Sequence, residues 1–165
     1  MTLTHRLTNN DIAKICSWVS THSMLQNVSG DRAECLNQDI LIRWLNEACK
    51  ALLIHDTEPL AFCTLSDKEV PSLPETYIEL CHLIVDPKHN FYRNGDRLLF
   101  FGIYLARNLG YEYICGRVQP DNSYGVTLVR ENAFDEFTGS EPWEIPGFRW
   151  FRQDLRCLKE VVYGC

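Results

Sequence analysis

The sequence predicts a mixed α/β or α+β fold in which helices flank one central sheet. Two apolar runs on either side of the turn "DTEP" indicate an antiparallel hairpin. A third run, "TYIELCHLIVDP", is followed by helical periodicity and then by another strand, "YEYICGRV". Because a crossover helix joins parallel strands, we expect a mostly antiparallel sheet with one parallel strand pair and about four flanking helices.

Length and composition predict a single domain over residues 1–165. No apolar run approaches the roughly 20 residues that cross a bilayer, and no secretory signal is evident, so we expect a cytoplasmic protein without a membrane partner. The net charge of −6 argues against nucleic-acid partners, which need a basic surface. The eight cysteines form no C-x-x-C pair, which favours reduced core thiols and no metal site.

The first half of the chain is expected to contain two helices and the hairpin. Thr8 can cap the first helix, whose apolar positions recur at helical spacing. The polar segment "QNVSGD" is expected to be a loop before the second helix. The predicted elements are helices at 9–20 and 38–49, strands at 51–56 and 59–67, and a proline-containing loop at 69–75.

The second half is expected to continue with a strand, a long helix and a parallel strand. Helical periodicity resumes after Gly95 and stops at Gly110, a residue type that commonly ends helices. The aromatic segment "FRWF" near the C-terminus is expected to be exposed, where it could support a homodimer. The predicted elements after the long helix are a strand at 111–118, a helix at 123–133, and strands at 134–139 and 148–158.

The segment "DPKHNFYRNGDRLLF" (86–100) joins the third strand to the long helix and is locally basic. It contains Lys88, His89, Arg93 and Arg97, although the chain as a whole is acidic. A helix N-terminus presents unpaired N–H groups and the positive end of the helix dipole, both of which favour anions. We therefore expect an anion site here; an ordinary solvated turn is the alternative.

The order of elements, and residues 77–134 in particular, resembles the GNAT superfamily of N-acetyltransferases. In that family a strand ends near V-x-P, and a Q/R-x-x-G-x-G/A loop leads into a helix. Here the strand ends at "VDP", and the loop register runs from Asn90 to Gly95. Asn90 replaces the family's Gln or Arg, and Arg93 replaces its first glycine, so the loop matches only in part.

A second family block, V-x-x-x-N-x-x-A-x-x-L-Y-x-x-x-G-F, follows the next strand. This chain has "VQPDNSYGVTLVRENAF" (118–134) at that place. Ala133 stands where the family usually has glycine. The positions in register are Val118, Asn122, Gly125, Leu128 and Phe134.

The resemblance implies acetyl-CoA as co-substrate and an amine-bearing acceptor: a small molecule, a peptide or a protein. The backbone of Leu83, Ile84 and Val85, opposite the start of "YICGRV", would hold the pantetheine arm. Asn122 would hydrogen-bond the same arm. The residues implied for the pyrophosphate are Asn90, Arg93, Asn94, Gly95, Asp96 and Arg97, with Lys88 adding charge.

Acetyl transfer to an amine requires loss of an amine proton, often to a carboxylate. Glu79 matches a position where some family members place the base, and partial burial would raise its pKa. His82 is the next candidate, although strand alternation places it on the opposite face from Glu79. Val129 replaces the family's tyrosine that protonates the thiolate, so Tyr124, about one helical turn earlier, is the candidate general acid.

The acceptor site is expected between the first two helices, the 67–76 loop and the C-terminal strands. All four tryptophans are candidates to line it, and the acidic residues nearby could attract a cationic amine; core packing and a solvated acidic surface are the alternatives. Two other functions remain open. The partly matched loop fits a degenerate binding module, and His22 fits an acyl-carrier-protein-dependent lysine acyltransferase. The candidate acceptor-site residues named above are the tryptophans Trp18, Trp44, Trp143 and Trp150 and the acids Asp67, Glu69, Glu75, Asp135, Glu136, Glu141 and Glu144.

Overall fold

The computed structural model describes residues 2–4, 7–29, 32–70, 72–137 and 141–156. Within these ranges the chain forms seven strands and five helices. In chain order the elements are β1 (Thr2–Thr4), α1 (Asn9–Trp18), α2 (His22–Ser29), α3 (Gln38–Glu47), β2 (Lys50–His55), β3 (Pro59–Ser66), β4 (Tyr77–Val85), α4 (Phe91–Asn108), β5 (Tyr113–Val118), α5 (Ser123–Glu131), β6 (Asp135–Phe137) and β7 (Arg149–Asp154).

All seven strands belong to one sheet with the order β1-β2-β3-β4-β5-β7-β6. Every neighbouring pair is antiparallel except β4 and β5, which are parallel and connected through α4. The predicted fold class, the hairpin and the parallel strand–helix–strand unit are therefore confirmed. The helix count is five in the described chain, one more than the expected four.

Strands β4 and β5 pair only at their beginnings. Tyr77, Ile78 and Glu79 lie opposite residues 113–115, and the pairing stops there. Beyond this point β4 continues to pair with β3, whereas β5 pairs with β7. The two strands therefore diverge in the middle of the sheet and leave a gap between their C-terminal halves.

Two elements were absent from the sequence-based expectation. Strand β1 adds to the edge of the hairpin through β2, with Leu3 opposite Ile54. Helix α2 occupies residues where a loop had been expected, and its only buried residue is Leu25. Leu25 and Val28 pack on the same core, but a helix of eight residues gives too few apolar repeats for the sequence pattern to indicate it.

Helix α4 begins earlier than the resumption of apolar periodicity suggested. Asn90 is its N-cap, and its side chain accepts a hydrogen bond from the Arg93 amide at 2.9 Å. Gly95 therefore lies in the second turn of the helix and does not end a loop. The expected end of the helix is confirmed, because Gly110 follows it with a φ of 88°, a conformation that suits glycine.

The sheet separates two main apolar cores. Leu80, Val85 and Leu98 belong to the core between the sheet and α4 with α5. Trp44, Phe62 and Ile84 belong to the core between the sheet and helices α1, α2 and α3. The first of these cores buries the crossover helix, as the strand–helix–strand prediction required.

The aromatic residues of β7 are buried, contrary to the expectation of an exposed "FRWF" segment. Trp150 is 2% exposed and Phe151 is fully buried. Trp150 packs against Trp143 in a third small core, with their ring centroids 5.1 Å apart. These rings are occupied by the protein's own packing, so they give no support to a homodimer.

Strand β4 contains a β-bulge at His82. Phe62 of β3 lies opposite Ile84, whereas Thr64 lies opposite Cys81, so β4 has one extra residue between these pairs. His82 adopts a φ of 54°, in the left-handed region that is uncommon for residues other than glycine. The extra residue reverses the alternation of side chains along the strand.

No helix among the described residues is long and apolar enough to span a membrane. The six cysteines in the described ranges are free, and Cys63, Cys81 and Cys115 are buried as the thiol prediction expected. Cys35 and Cys49 are exposed, contrary to a general core role. Cys157 and Cys165 lie outside the described residues.

Candidate active site

A cavity of about 420 Å³ lies where β4 and β5 diverge. Its walls come from α1 and α2 on one side, from both strands, and from the beginnings of α4 and α5 on the other side. Glu79, His82 and Arg117 line it together with many apolar residues. The break in strand pairing therefore creates a space that contains charged groups in an otherwise apolar interior.

The bulge at His82 brings it into the same cluster as Glu79. Both residues approach Glu69 of the loop before β4: His82 Nε2 lies 3.4 Å from Glu69 Oε1, and ligand atoms of Glu69 and Glu79 lie within 4.8 Å of one another. The expectation that His82 would face away from Glu79 was wrong. Simple alternation does not hold across an inserted residue.

Arg117 of β5 lies between two carboxylates. Its Nη2 donates to Glu69 Oε1 at 2.5 Å, and its Nε lies 2.9 Å from Glu79 Oε1. The second contact is an ion pair without hydrogen-bond geometry. Both carboxylate oxygens of Glu79 therefore lack a hydrogen-bond donor among the described residues. A bound molecule could therefore supply the hydrogen-bond donor that these oxygens lack.

The two carboxylates have opposite pKa shifts. Burial raises the pKa of Glu79 to about 7, because the Arg117 charge offsets only part of the lost hydration. Burial acts in the same direction on Glu69, but its contacts with His82 and Arg117 outweigh that effect and lower its pKa to about 2. Near neutral pH, Glu69 is a fixed anion and Glu79 can exchange a proton.

His82 is held rigidly at the wall of this cluster. Its ring stacks on Trp44 with centroids 3.9 Å apart and an angle of 9° between the planes. Nδ1 lies 2.8 Å from Thr64 Oγ1, and Nε2 points toward Glu69. Thr64 engages Nδ1, whereas Nε2 contacts Glu69 without a hydrogen-bond partner among the described residues, so His82 offers a second polar atom at the cavity wall.

Glu69, Glu79 and Cys81 are close enough to act as metal ligands by distance alone. The Arg117 guanidinium, however, already contacts both carboxylates and supplies the positive charge at this place. Burial also raises the pKa of Cys81 well above its usual range, which disfavours the thiolate that a metal would require. The cluster is therefore better suited to proton transfer than to metal binding.

The N-terminus of α4 offers fewer free amide donors than the expected loop. The Arg93 amide donates to the Asn90 side chain, and the Asn94 amide donates to the Asn90 carbonyl at 3.2 Å. The amides of Asn90, Phe91 and Tyr92 have no acceptor among the described residues. Phe91 also lines the cavity, so these free donors lie at its mouth.

The other residues implied for the pyrophosphate differ in their surroundings. Arg93 is exposed in a helical conformation, as its replacement of a loop glycine required. Asn94 is buried and donates to the Asn90 carbonyl at 3.2 Å, while Arg97 donates to Asn94 at 3.4 Å. Asp96 accepts from Asn132 at 2.8 Å and so connects α4 to α5. Arg93 is the member of this group best placed to meet an anion.

Gly95 allows α4 and α5 to pack closely. A Cβ atom at this position would lie 2.8 Å from Cδ2 of Leu128, closer than side chains normally approach. The family motif placed this glycine near the pyrophosphate, but its surroundings here are those of a helix–helix contact. Its direct role is to set the spacing of the two helices that border the cavity mouth.

Asn122, Tyr124 and Val129 all line the cavity. Asn122 is the N-cap of α5, and its Oδ1 accepts from the Gly125 amide at 2.9 Å, so its side-chain oxygen is already engaged. Tyr124 is 63% exposed and lies against Phe91 and Tyr92, while Val129 is buried. The phenol of Tyr124 is therefore at the cavity mouth, and the deeper wall at Val129 is apolar.

Leu83, Ile84 and Val85 line the cavity beyond the last residues of β4 that pair with β5. The start of β5 lies opposite residues 77–79 and not opposite Leu83–Val85, which corrects that expectation. Because β5 has diverged by this point, the edge of β4 at these three residues lacks a neighbouring strand on one side. An extended, peptide-like chain could pair with such an edge.

The residues expected at the acceptor site are only partly brought together. Of the four tryptophans, Trp18 lines the cavity, and the other three pack in cores. Of the acids, Glu69 lines the cavity and forms part of the charged cluster. His22 is exposed, lies 2.7 Å from the Ala33 carbonyl, and is not among the described residues that line the cavity.

The sequence reasoning missed Arg117 and the role of Glu69. Arg117 interrupts the otherwise apolar strand "YICGRV", and a charged residue in a buried strand usually has a partner. That pattern could have indicated an ion pair. Glu69 carried no comparable pattern, because its place beside Arg117 and His82 depends on how the loop folds over the sheet.

No protein-family model matches this sequence, and no curated protein is significantly similar to it. Solved structures do match its fold. The ribosomal-protein-alanine N-acetyltransferase from Brucella melitensis is 13% identical with a TM-score of 0.68, over 93% of this chain and 99% of that one. The GNAT domain of S. lividans PAT is 15% identical with a TM-score of 0.70, over 90% of this chain and 87% of that one.

A third similar structure is N-acetylglutamate synthase from Neisseria gonorrhoeae, complexed with coenzyme A and N-acetyl-glutamate. It is 17% identical with a TM-score of 0.68, over 93% of this chain and 35% of that one. At such identities the similarity establishes the fold. The chain therefore has the GNAT fold that its element order and motifs predicted.

Proposed function

We propose that this protein is an N-acyltransferase that transfers an acetyl group from acetyl-CoA to a primary amine. The observation that carries this proposal is Glu79, a buried carboxylate with a pKa near 7 whose oxygens have no hydrogen-bond donor among the described residues. It lies in a cavity at the gap between β4 and β5. A general base is most effective when its pKa is close to the working pH.

The remaining lining of the cavity fits acetyl-CoA. The unpaired edge of β4 at Leu83–Val85 suits the amides of a pantetheine arm, which resembles an extended peptide. The free amides of Phe91 and Tyr92 and the charge of Arg93 suit the pyrophosphate at the α4 N-terminus. Gly95 contributes indirectly, by letting α5 lie close to α4.

When bound, acetyl-CoA supplies a thioester as the acyl donor. Glu79 accepts a proton from the amine, whose nitrogen then forms the bond to the acyl carbon as the carbon–sulfur bond breaks. Arg117 orients the Glu79 carboxylate, while Glu69 balances the guanidinium charge and leaves Glu79 free to be neutral or ionised. Tyr124 is the only phenol among the described lining residues. Because it lies at the cavity mouth, we propose that the departing thiolate takes its proton from Tyr124 through solvent in the cavity.

The first experiment is a calorimetric titration with acetyl-CoA, followed by mass-spectrometric screening of amines, amino acids and lysine peptides. We expect binding below millimolar concentration and acetylation of at least one class of amine. Charge reversal of the exposed Arg93 to Glu should weaken acetyl-CoA binding about tenfold or more. The matched control is Arg107→Glu near the other end of α4, which should leave the affinity unchanged.

The outcomes separate the competing functions. No binding of acetyl-CoA at sub-millimolar concentration would contradict the proposal. Binding without turnover of any amine would instead favour a degenerate module that senses or binds the nucleotide. Activity with acylated acyl carrier protein that depends on His22 but not on Glu79 would favour the lysine acyltransferase alternative.

A further inference from the structure

Trp18 presents a buried hydrogen-bond donor without an acceptor. It is the last residue of α1, is 3% exposed, and lines the cavity that contains Glu79. Its indole Nε1 has no hydrogen-bond partner among the described residues. Buried indole N–H groups normally find a partner, so this one needs an acceptor that the described chain does not supply.

The ring of Trp18 is fixed by its packing. It belongs to the core formed by α1, α2 and α3 against the sheet, together with Phe62 and Ile84. The chain after it is held by the Leu36 amide, which donates to the Val19 carbonyl at 3.0 Å. A donor on a side chain held in this way is preorganised, which favours selection of a bound molecule.

The cavity wall formed by α2 and the end of α1 is mainly apolar. Val19, Met24 and Val28 line it, together with one polar residue, the exposed Asn27. At the other part of the same cavity, Glu79 offers two carboxylate oxygens without a donor. A molecule that satisfies both places therefore has an amine for Glu79, an apolar segment, and a hydrogen-bond acceptor for Trp18.

The charges of the cavity decide which kind of acceptor group fits. Arg117 is the only arginine or lysine among the described lining residues, and it is already paired with Glu69 and Glu79. A carboxylate on the amine substrate would enter a low-dielectric space that holds two carboxylates and no uncommitted cation. A neutral acceptor, such as an ether, hydroxyl or amide oxygen, meets no such penalty.

We propose that Trp18 determines acceptor specificity by donating its indole N–H to a neutral oxygen of the amine substrate. The substrate class is a primary amine that carries an ether, hydroxyl or amide oxygen across an apolar segment and has no carboxylate. This inference rests on the proposed function and names the acceptor of the same site. Trp18 selects the substrate and takes no part in the proton transfer at Glu79.

The test compares amines of equal size that differ only in one oxygen. The pairs are 2-methoxyethylamine with n-butylamine and 3-methoxypropylamine with n-pentylamine. A fifth compound, 4-aminobutanoate, tests the effect of a carboxylate. Because the ether oxygen also makes the amine less basic, kcat/KM is referred to the unprotonated amine. On this basis we expect the ether of at least one pair to exceed the alkylamine about threefold to tenfold, the gain from one neutral hydrogen bond. The carboxylate compound should be the poorest substrate.

The variant Trp18→Phe keeps an aromatic ring and removes the donor. It should abolish the preference for the ether, because kcat/KM for the ether should fall about threefold to tenfold more than kcat/KM for the alkylamine. Trp143→Phe is the matched control, because Trp143 is equally buried but packs in the third core, away from the cavity. A preference that survives Trp18→Phe, or a preference for 4-aminobutanoate, overturns the proposal.

A second measurement does not depend on turnover. In protein labelled with ¹⁵N-tryptophan, the indole resonance that disappears in Trp18→Phe identifies Trp18. Adding the ethers to CoA-saturated protein should move this resonance downfield, and adding the matched alkylamines should move it less. Equal shifts, or no shift with any amine, overturn the Trp18 proposal, whereas failure of acetyl-CoA to bind in calorimetry overturns the proposed function.

Discussion

The two ends of the cavity present different kinds of chemical group. At the inner end, Glu69, Glu79 and Arg117 form a buried cluster in which each side chain depends on the others. At the mouth, the groups available to an anion are backbone amides at the start of α4 and the exposed side chain of Arg93. The inner end is specified by side chains, and the mouth is specified mainly by backbone.

This difference accounts for a loop that matches the family motif only in part, while the carboxylate at Glu79 is present. Backbone amides at a helix N-terminus are present whatever the side chains are, so the mouth tolerates Arg93 in place of a glycine. A buried carboxylate has no such substitute. Single substitutions should therefore have large effects at the inner end and small effects at the mouth.

The largest effect is expected for Glu79→Gln, which keeps the shape of the side chain and removes the base. We expect kcat/KM for an accepted amine to fall about 100-fold or more, the usual contribution of general base catalysis. The affinity for acetyl-CoA, measured by calorimetry, should change less than about twofold, because that contact lies elsewhere in the cavity. Glu75→Gln, an exposed residue just before β4, is the control, and equal losses in both variants would remove Glu79 from the mechanism.

The pH dependence of the reaction comes next. Because Glu79 must be ionised to accept a proton and its pKa is about 7, kcat/KM should rise about tenfold per unit as the pH increases toward 7 and then level off. Initial rates between pH 5 and 9 measure this profile. A flat profile across pH 6 to 8 with an amine of constant charge would contradict the assignment.

The contributions of Glu79 and Glu69 to the free energy of unfolding should change with pH in opposite directions. Glu79 has a pKa raised from 4.5 to about 7, so its contribution to the free energy of unfolding decreases as the pH rises from about 4.5 to 7; Glu79→Gln should remove this loss and raise the Tm at pH 8. Glu69 has a pKa lowered to about 2, so its contribution is present above about 4.5 and is lost as the pH falls toward 2. Glu69→Gln should therefore lower the Tm at pH 8 and lower it less at pH 3. Thermal melts at pH 3, 5 and 8 test both signs.

Gly95→Val probes packing at the mouth without touching the charged cluster. The added side chain would meet Leu128, whose Cδ2 would lie 2.8 Å from the new Cβ, so either the Leu128 side chain or α5 must shift. We expect a loss of about 2 kcal/mol in the free energy of unfolding, typical of overpacking. Urea denaturation should show a change of under about 0.5 kcal/mol for the control Tyr104→Val on the exposed face of α4, and an equal loss in both would contradict the close contact.

The smallest effect is expected for Arg93→Ala. Removing one exposed cation from a site with several amide donors should weaken acetyl-CoA binding by about threefold to fivefold at low salt, and by less at high salt. Calorimetry at two ionic strengths measures both values. If Arg93→Ala lowers the affinity for acetyl-CoA by as large a factor as Glu79→Gln lowers kcat/KM, the mouth also depends on a single side chain.

Much of this arrangement could be predicted from the sequence. Periodicity and the two motif blocks were sufficient for the fold, for the parallel unit around α4, and for the burial of Glu79. The start of α4 was placed too late, because the buried positions between Tyr92 and Leu98 are occupied by Asn94 and Gly95. Apolar spacing does not report a buried face where polar or small residues occupy it.

The charged cluster could not be assembled from the sequence alone. Arg117 and Glu69 meet Glu79 only because β5 and the loop before β4 are brought beside it by the sheet. The position of His82 depended on a bulge, and a left-handed residue other than glycine has no reliable sequence pattern. Both features are products of tertiary structure that local patterns do not encode.

The bulge at His82 also determines what each half of β4 can do. Before it, Leu80 belongs to the core beneath α4; after it, Ile84, an even number of residues later, belongs to the opposite core. The inserted residue places Cys81 and His82, which are adjacent in sequence, on the face of the strand that carries Glu79. Deleting His82 would restore regular alternation and leave Leu83, Ile84 and Val85 on their present faces, but it would remove from the cavity wall the imidazole that contacts Glu69.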